Sequence, residues 1–176
     1  MKSTQIPLLG IAAYSGTGKT TLLKQLIPYL RSRGIRTGLI KHTHHDVDVD
    51  TPGKDSFELR KAGAEQTMVA SNNRWALMTE TPQQNQPDLH YLASRFDGNN
   101  LDMILVEGFK HEEIEKIALH REKTGRPLNK LIDDQVIAVA SDLTPVPTFD
   151  GITVLDLNNT DKIGDFIVEW LEKKRG

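Results

Sequence analysis

Cysteine is absent from this chain. Disulfides, iron–sulfur clusters and thiolate zinc sites are therefore excluded, and a reducing compartment is an easy fit. An excess of one charge is missing too: 22 Lys and Arg stand against 24 Asp and Glu, a formal net charge of −2. A general nucleic-acid binder usually carries a basic surplus, so no nucleic-acid partner is expected. No apolar run approaches the ~18 residues of a membrane span. The apolar stretch at residues 8–13 is too short for a signal core and runs into glycines instead of a cleavage site. The cytoplasm, with no membrane contact, is the expected home. What is present suits a soluble globular protein: 38% hydrophobic and 26% charged residues, over a length of 176 that fits one domain spanning residues 1–176.

The order of patterns along the chain is strand, helix, strand, repeated. IPLLGIAA at residues 6–13 is a continuous apolar run, as in a strand buried on both faces of a parallel sheet. Residues 20–33 carry Leu22, Leu23, Leu26, Ile27 and Leu30 at helical spacing; Pro28 predicts a kink or early end and Gly34 a stop. Residues 35–42 form a second strand. DSFE at residues 55–58 has capping-box spacing and opens a short helix that Gly63 ends. Residues 65–80 read as a hairpin turned at Asn72 and Asn73. A helix at 89–96, strands in LDMILVEG, EKIALHR, QVIAVASD and GITVLDL, and an amphipathic helix at 161–173 complete the series. EKTGRPLNKLIDD reads as a polar loop. Such alternation predicts an α/β fold of three layers, P-loop NTPase-like, with a mostly parallel sheet, helices on both faces and a β-hairpin extension.

The stretch AAYSGTGKTTLL carries the chemistry. It fits G-x-x-x-x-G-K-[ST] except that Ala13 replaces the first glycine. In such a loop, backbone N–H groups converge on one concavity and the next helix adds its positive end, so phosphate is held without side-chain charge. Ser15, Gly16, Thr17, Gly18, Lys19 and Thr20 supply the N–H groups, Lys19 reaches the phosphates, and the Thr20 hydroxyl is a ligand for Mg²⁺. Ala13 adds only a methyl group and is tolerated if its φ stays negative. Tyr14 stands where some dimeric ATPases carry an extra lysine, so that variant is absent.

Mg²⁺ in such sites usually needs an acidic residue at the end of a neighbouring strand. LDMILVEG offers two. Five residues of strand span about 16 Å, which puts Asp102 at the wrong end of the sheet, where it reads as a solvated strand-start residue. Glu107 lies at the carboxyl end, where open α/β sheets bind ligands, as a Mg²⁺-water ligand or the group that orients attacking water. The loop KHTHHDVDVD, with His42, His44, His45, Asp46, Asp48 and Asp50, has three open readings: a loop that approaches the phosphates, a solvated loop, or a transition-metal site. For base choice, NKLID at residues 129–133 is one residue too long for a guanine-reading N-K-x-D. Asp142, after the strand in VIAVASD, is equally a guanine acceptor or a loop-initiating aspartate.

The stretches AYSGTGKTTLL, GLIKHTHH, DTPGKDSFELRKAGA, LVEGFKHEEI and VIAVASD, in this order across residues 8–142, resemble the molybdopterin-guanine dinucleotide biosynthesis protein B family, MobB. The resemblance implies a GTP-binding, weakly GTP-hydrolysing accessory protein of molybdenum cofactor biosynthesis. It would work beside the guanylyltransferase that joins GMP to molybdopterin, and often as a homodimer. GTP and Mg²⁺ would be its ligands. Gly16, Thr17, Gly18, Lys19, Thr20 and Thr21 would hold phosphates and Mg²⁺. Asp46, Asp50 and Lys54 would lie near the phosphates, with Asp46 on the metal side, and Glu107 and Lys110 at the EGFK edge. Weak hydrolysis fits the lack of any evident arginine finger, or glutamine placed to orient water, near the loop; as the clustered lid of a kinase, Arg121 and Arg126 do not lie tightly together. Two alternatives stay open: a small-molecule kinase on the same loop, and a non-catalytic adaptor whose nucleotide stabilises a dimer. Trp75, Met68 and Met78 of the hairpin are interface candidates, although such residues usually pack on the core.

Overall fold

Alternate residues of a strand point to opposite faces of a sheet. In a sheet covered on both faces, apolar residues are therefore needed at successive positions. The computed structural model, which describes residues 5–43, 47–83 and 86–176, meets this need with a six-stranded sheet. Its strands are β1 (Leu8–Ala13), β2 (Thr37–Lys41), β5 (Met103–Glu107), β6 (Lys116–His120), β7 (Val136–Ser141) and β8 (Thr153–Asp156). They lie in the order β2-β5-β1-β6-β7-β8, and every adjacent pair is parallel. The two remaining strands, β3 (Gln66–Ala70) and β4 (Trp75–Thr79), form a separate antiparallel hairpin.

One face of the sheet, with Leu9, Ile11, Met103, Leu105, Ile117, Leu119, Ala138 and Ala140, packs against α1 (Lys19–Ser32) and α4 (Thr160–Arg175). These helices contribute Leu22, Leu23, Leu26 and Leu30, and Ile163, Ile167, Trp170 and Leu171. On the other face, Ile104 and Val106 meet Leu89 of α3 (Leu89–Ser94), while Ala118 and Val139 meet Leu128. These are the three layers expected. Helices α1 and α4 approach so closely that a Cβ on Gly164 would lie 2.3 Å from the Tyr29 ring. The chain divides into two compact units: Met1–His42 with Asp88–Gly176, which holds the large sheet, and Thr43–Pro87, which holds α2 (Asp55–Lys61) and the hairpin.

Several local expectations need correction. Helix α1 runs through Pro28 without ending there, because its leucine stripe is buried on either side of that residue. The capping box is not formed: Asp55 is already helical, Lys54 occupies the cap position, and no side chain caps the end. The caps that do form are Asp88, which accepts the Tyr91 N–H, and Asn159, which accepts the Lys162 N–H. The polar loop between β6 and β7 contains two 3₁₀ turns, Glu122–Thr124 and Leu128–Leu131. Asp102 is not a solvated residue. Its carboxylate accepts from the backbone and guanidinium of Arg36 and pairs with Arg175. Burial pushes that carboxyl up, but these hydrogen bonds outweigh it and leave it below the usual range.

In the second unit, Met68 and Trp75 do not pack on a core; they are 60% and 66% exposed, while Met78 is half-buried. They lie on a two-stranded ribbon, which has too little second face to cover them. The pairs Met68 with Leu77 and Ala70 with Trp75 set these side chains on one face.

Candidate functional site

Strand β1 delivers the chain to the carboxyl edge between β5 and β6, the point where the connections turn from one side of the sheet to the other. Ala13 is still in the strand, paired with Leu119. No described non-glycine residue has a positive φ, so Ala13 sits in ordinary backbone and a glycine there is not required. The positive φ falls at Gly16 (81°) and Gly18 (93°), where only glycine avoids strain.

The turn closes through the Thr17 N–H on the Tyr14 carbonyl, and the first helical bond runs from Leu22 to Gly18. Among the described residues, no carbonyl accepts the N–H groups of Gly16, Gly18, Lys19 or Thr20. Gly16, Gly18, Thr20 and Thr21 are exposed. The buried Thr17 hydroxyl also lacks a partner among those residues. Unsatisfied donors at the positive end of a fourteen-residue helix are what an anionic oxygen requires. The loop therefore fits a polyphosphate on donor chemistry.

Lys19 and Glu107 form an ion pair, 3.0 Å apart. Glu107 pairs in register with Ile11 on one side and Lys41 on the other. Lys41 Nζ lies 3.9 Å from the same carboxylate oxygen. Thus Glu107 faces two ammonium groups. After it, Gly108 adopts a φ of 96°, and a Cβ there would come within 2.8 Å of the His42 carbonyl. The His42 N–H donates to the Glu107 carbonyl, and the His42 ring lies against Phe109. Thr20 is exposed at the start of α1; its hydroxyl and the Glu107 carboxylate are oxygen ligands of the kind that Mg²⁺ takes.

The other expected residues fall as follows. Ser15 is exposed on the loop, and Lys110 is exposed beyond Gly108. Lys54 is exposed at the start of α2. Asp50 is held in its own unit by Arg60, whose guanidinium also takes Asp48 and Glu80. The Arg60 hydrogen bond holds the Asp50 carboxyl below its ordinary range. His44, His45 and Asp46 lie outside the described residues. Among those described, no group of three His, Asp or Glu is disposed to hold a metal. Asp142 has both oxygens engaged: one accepts the Glu122 N–H at 2.8 Å, the other lies 3.4 Å from Arg121 Nη1. In the NKLID stretch, Asp133 pairs with the buried Lys116.

The sequence shows no arginine finger near the loop; the fold nevertheless brings two arginines to it, both engaged within the protein. Arg121 Nε donates to the Thr17 carbonyl at 2.9 Å. Arg126 lies 5.9 Å from the centre of the Tyr14 ring, and the Tyr14 hydroxyl donates to the Pro127 carbonyl. The missed signal was strand order. Arg121 directly follows β6, and only the pairing of β6 with β1 carries it to the loop.

Fold and loop together define an α/β protein of the P-loop NTPase-like class. A family model described as "MobB: Molybdopterin guanine dinucleotide synthesis protein B" matches residues 8–142. The chain is 64% identical over 174 residues to the molybdopterin-guanine dinucleotide biosynthesis adapter protein of Escherichia coli (strain K12), covering 98% of each chain. It is 50% identical to the protein of the same name from Haemophilus influenzae, covering 99% of this chain and 94% of that one. The chain belongs to the MobB family. Among solved structures, it is similar to a molybdopterin-guanine biosynthesis protein B (TM-score 0.72, 23% identity, 93% of this chain and 99% of that one). It is also similar to Bacillus subtilis MobB (TM-score 0.71, 19% identity, 93% and 97%). At these identities the likeness concerns the fold. No helix among the described residues is long and apolar enough to cross a membrane.

Proposed function

We propose that this chain is a GTP-binding adapter of molybdenum cofactor biosynthesis. It assists the guanylyltransferase that forms molybdopterin guanine dinucleotide, acts as a cytoplasmic homodimer, and is at most a weak Mg²⁺-dependent GTPase. The observation that carries the nucleotide part is the set of unsatisfied N–H groups of Gly16, Gly18, Lys19 and Thr20 beside the Lys19–Glu107 pair. The names of its relatives support the pathway.

In this reading, the N–H groups of residues 15–21 hold the phosphates and Lys19 supplies positive charge. The Thr20 hydroxyl and Glu107 hold Mg²⁺, which neutralises phosphate charge when bound. Binding must draw Lys19 from Glu107 toward phosphate; Lys41 then remains as the counter-charge of Glu107. Asp50, Lys54 and Lys110 are carried as further contacts and Asp46 as a metal-side residue, on resemblance alone. Asp142 is the proposed guanine acceptor. The kinase alternative needs arginines free to clamp a moving phosphoryl group. Arg121 and Arg126 are both engaged within the protein, which weighs against it.

Titration calorimetry with Mg²⁺ and either GTP or ATP, on the natural protein and on Lys19→Ala, tests the reading. GTP preferred over ATP, with binding lost in Lys19→Ala, supports it. Equal binding of both nucleotides overturns the role of Asp142 in base choice and revives the kinase. No binding by the natural protein overturns the nucleotide site.

A further inference from the structure

A peptide unit is planar and trans, so its C=O and N–H point in opposite directions. The Thr17 carbonyl and the Gly18 N–H belong to one such unit. Whatever fixes the carbonyl on one side aims the N–H on the other. The Thr17 carbonyl is fixed by Arg121 Nε at 2.9 Å. The guanidinium is held in turn by Asp142 and by Asn158, each with an oxygen 3.4 Å from Nη1. Asp142 is anchored by the Glu122 N–H. The guanidinium also lies 3.8 Å from where a Gly18 Cβ would be, so it backs the same peptide from behind.

We propose that Arg121 is a positioning residue of the phosphate loop: by holding the Thr17 carbonyl it directs the Gly18 N–H into the phosphate cradle. This deepens the nucleotide-binding reading above and rests on it. Glycine at position 18, with its φ of 93°, has broad conformational freedom, so its N–H direction needs an outside restraint. The segment after β6 supplies a second brace. The Tyr14 hydroxyl is bound to the Pro127 carbonyl, and the Arg126 carbonyl is bound to the buried His120 ring. His120 is held by Ser141 on β7. The loop is thus set from β6 and β7 as well as from β1. Asp142 acts on phosphate binding through Arg121. A base that takes the Asp142 carboxylate would compete with the guanidinium for it, which couples the base end of a nucleotide to its phosphate end.

The test is titration of Mg²⁺-GDP into the natural protein, Lys19→Ala, Arg121→Ala and Arg121→Lys, with the ³¹P resonance of the bound β-phosphate followed at saturation. A charge-assisted hydrogen bond that preorganises a donor is worth about a tenfold change in binding. Arg121→Ala is expected to bind about tenfold more weakly, with a shifted β-phosphate resonance. Arg121→Lys, which can still donate to the carbonyl, is expected to restore most of both. Unchanged binding and resonance in Arg121→Ala, with binding lost in Lys19→Ala, overturns this inference alone. No binding by the natural protein overturns the nucleotide reading and this inference together. Equal losses in Arg121→Ala and Arg121→Lys, accompanied by a lower Tm without nucleotide, assign Arg121 to general stability and also overturn it.

Discussion

In strand β5 every residue but the last is buried, whereas in the hairpin of β3 and β4 none is. The two regions are held by different physics. The large sheet removes apolar surface from water on both faces. The hairpin unit has little to remove, and a two-stranded ribbon is marginal in water by itself. Among the described residues of 43–87, Arg60 is the one residue buried as a whole, and it gathers Asp48, Glu80 and the equally buried carboxylate of Asp50. Apolar burial organises the first unit; charge and hydrogen bonding organise the second.

Substitutions should separate the two regimes. The largest effect is expected from Leu105→Ala, at a fully buried position of the central sheet. It should lower stability by about 3 kcal/mol in urea unfolding, as a core cavity does. Gly164→Ala should cost about 1–3 kcal/mol, because its Cβ would collide with the Tyr29 ring between two packed helices. In the second unit, Arg60→Met should raise amide exchange across α2 and the hairpin while leaving β1 and β5 protected. Acid should act the same way. The Asp50 carboxyl sits below its ordinary value, so its contribution is fully present above about pH 4 and is lost as pH falls toward the folded value. Hairpin amides should therefore lose protection below pH 4 before those of the sheet, as exchange measurements at pH 5 and pH 3 would show. The smallest effect is expected from Trp75→Ala, within about 0.5 kcal/mol for an exposed side chain. A larger loss would mean that a second copy covers this face in solution, which light scattering would reveal as a dimer mass.

Much of this contrast was legible in the sequence. Continuous apolar runs marked the buried strands, and the glycine loop between strand and helix marked the site. Glu107 was placed correctly because the carboxyl end of a strand can be counted along the chain. Strand order was not legible, since pairing between β1 and β6 joins residues far apart in sequence. Arg121 was missed for that reason. Asp102 was misjudged because its partners, Arg36 and Arg175, come from distant segments. Trp75 and Met68 were misplaced because alternation signals a strand but not whether anything covers its apolar face.

The position of β1 within the sheet has a consequence for synthesis. Leu8 pairs with Ile104, and Gly10 with both Val106 and Lys116. A ribosome that has translated only as far as the hairpin has already made the entire glycine loop and α1. It has made neither of the strands that hold β1 in place, nor the arginine that braces the loop. Contacts this distant in sequence close late. The nascent chain therefore carries its glycine-loop sequence early but gains the braced loop only after β6 has emerged.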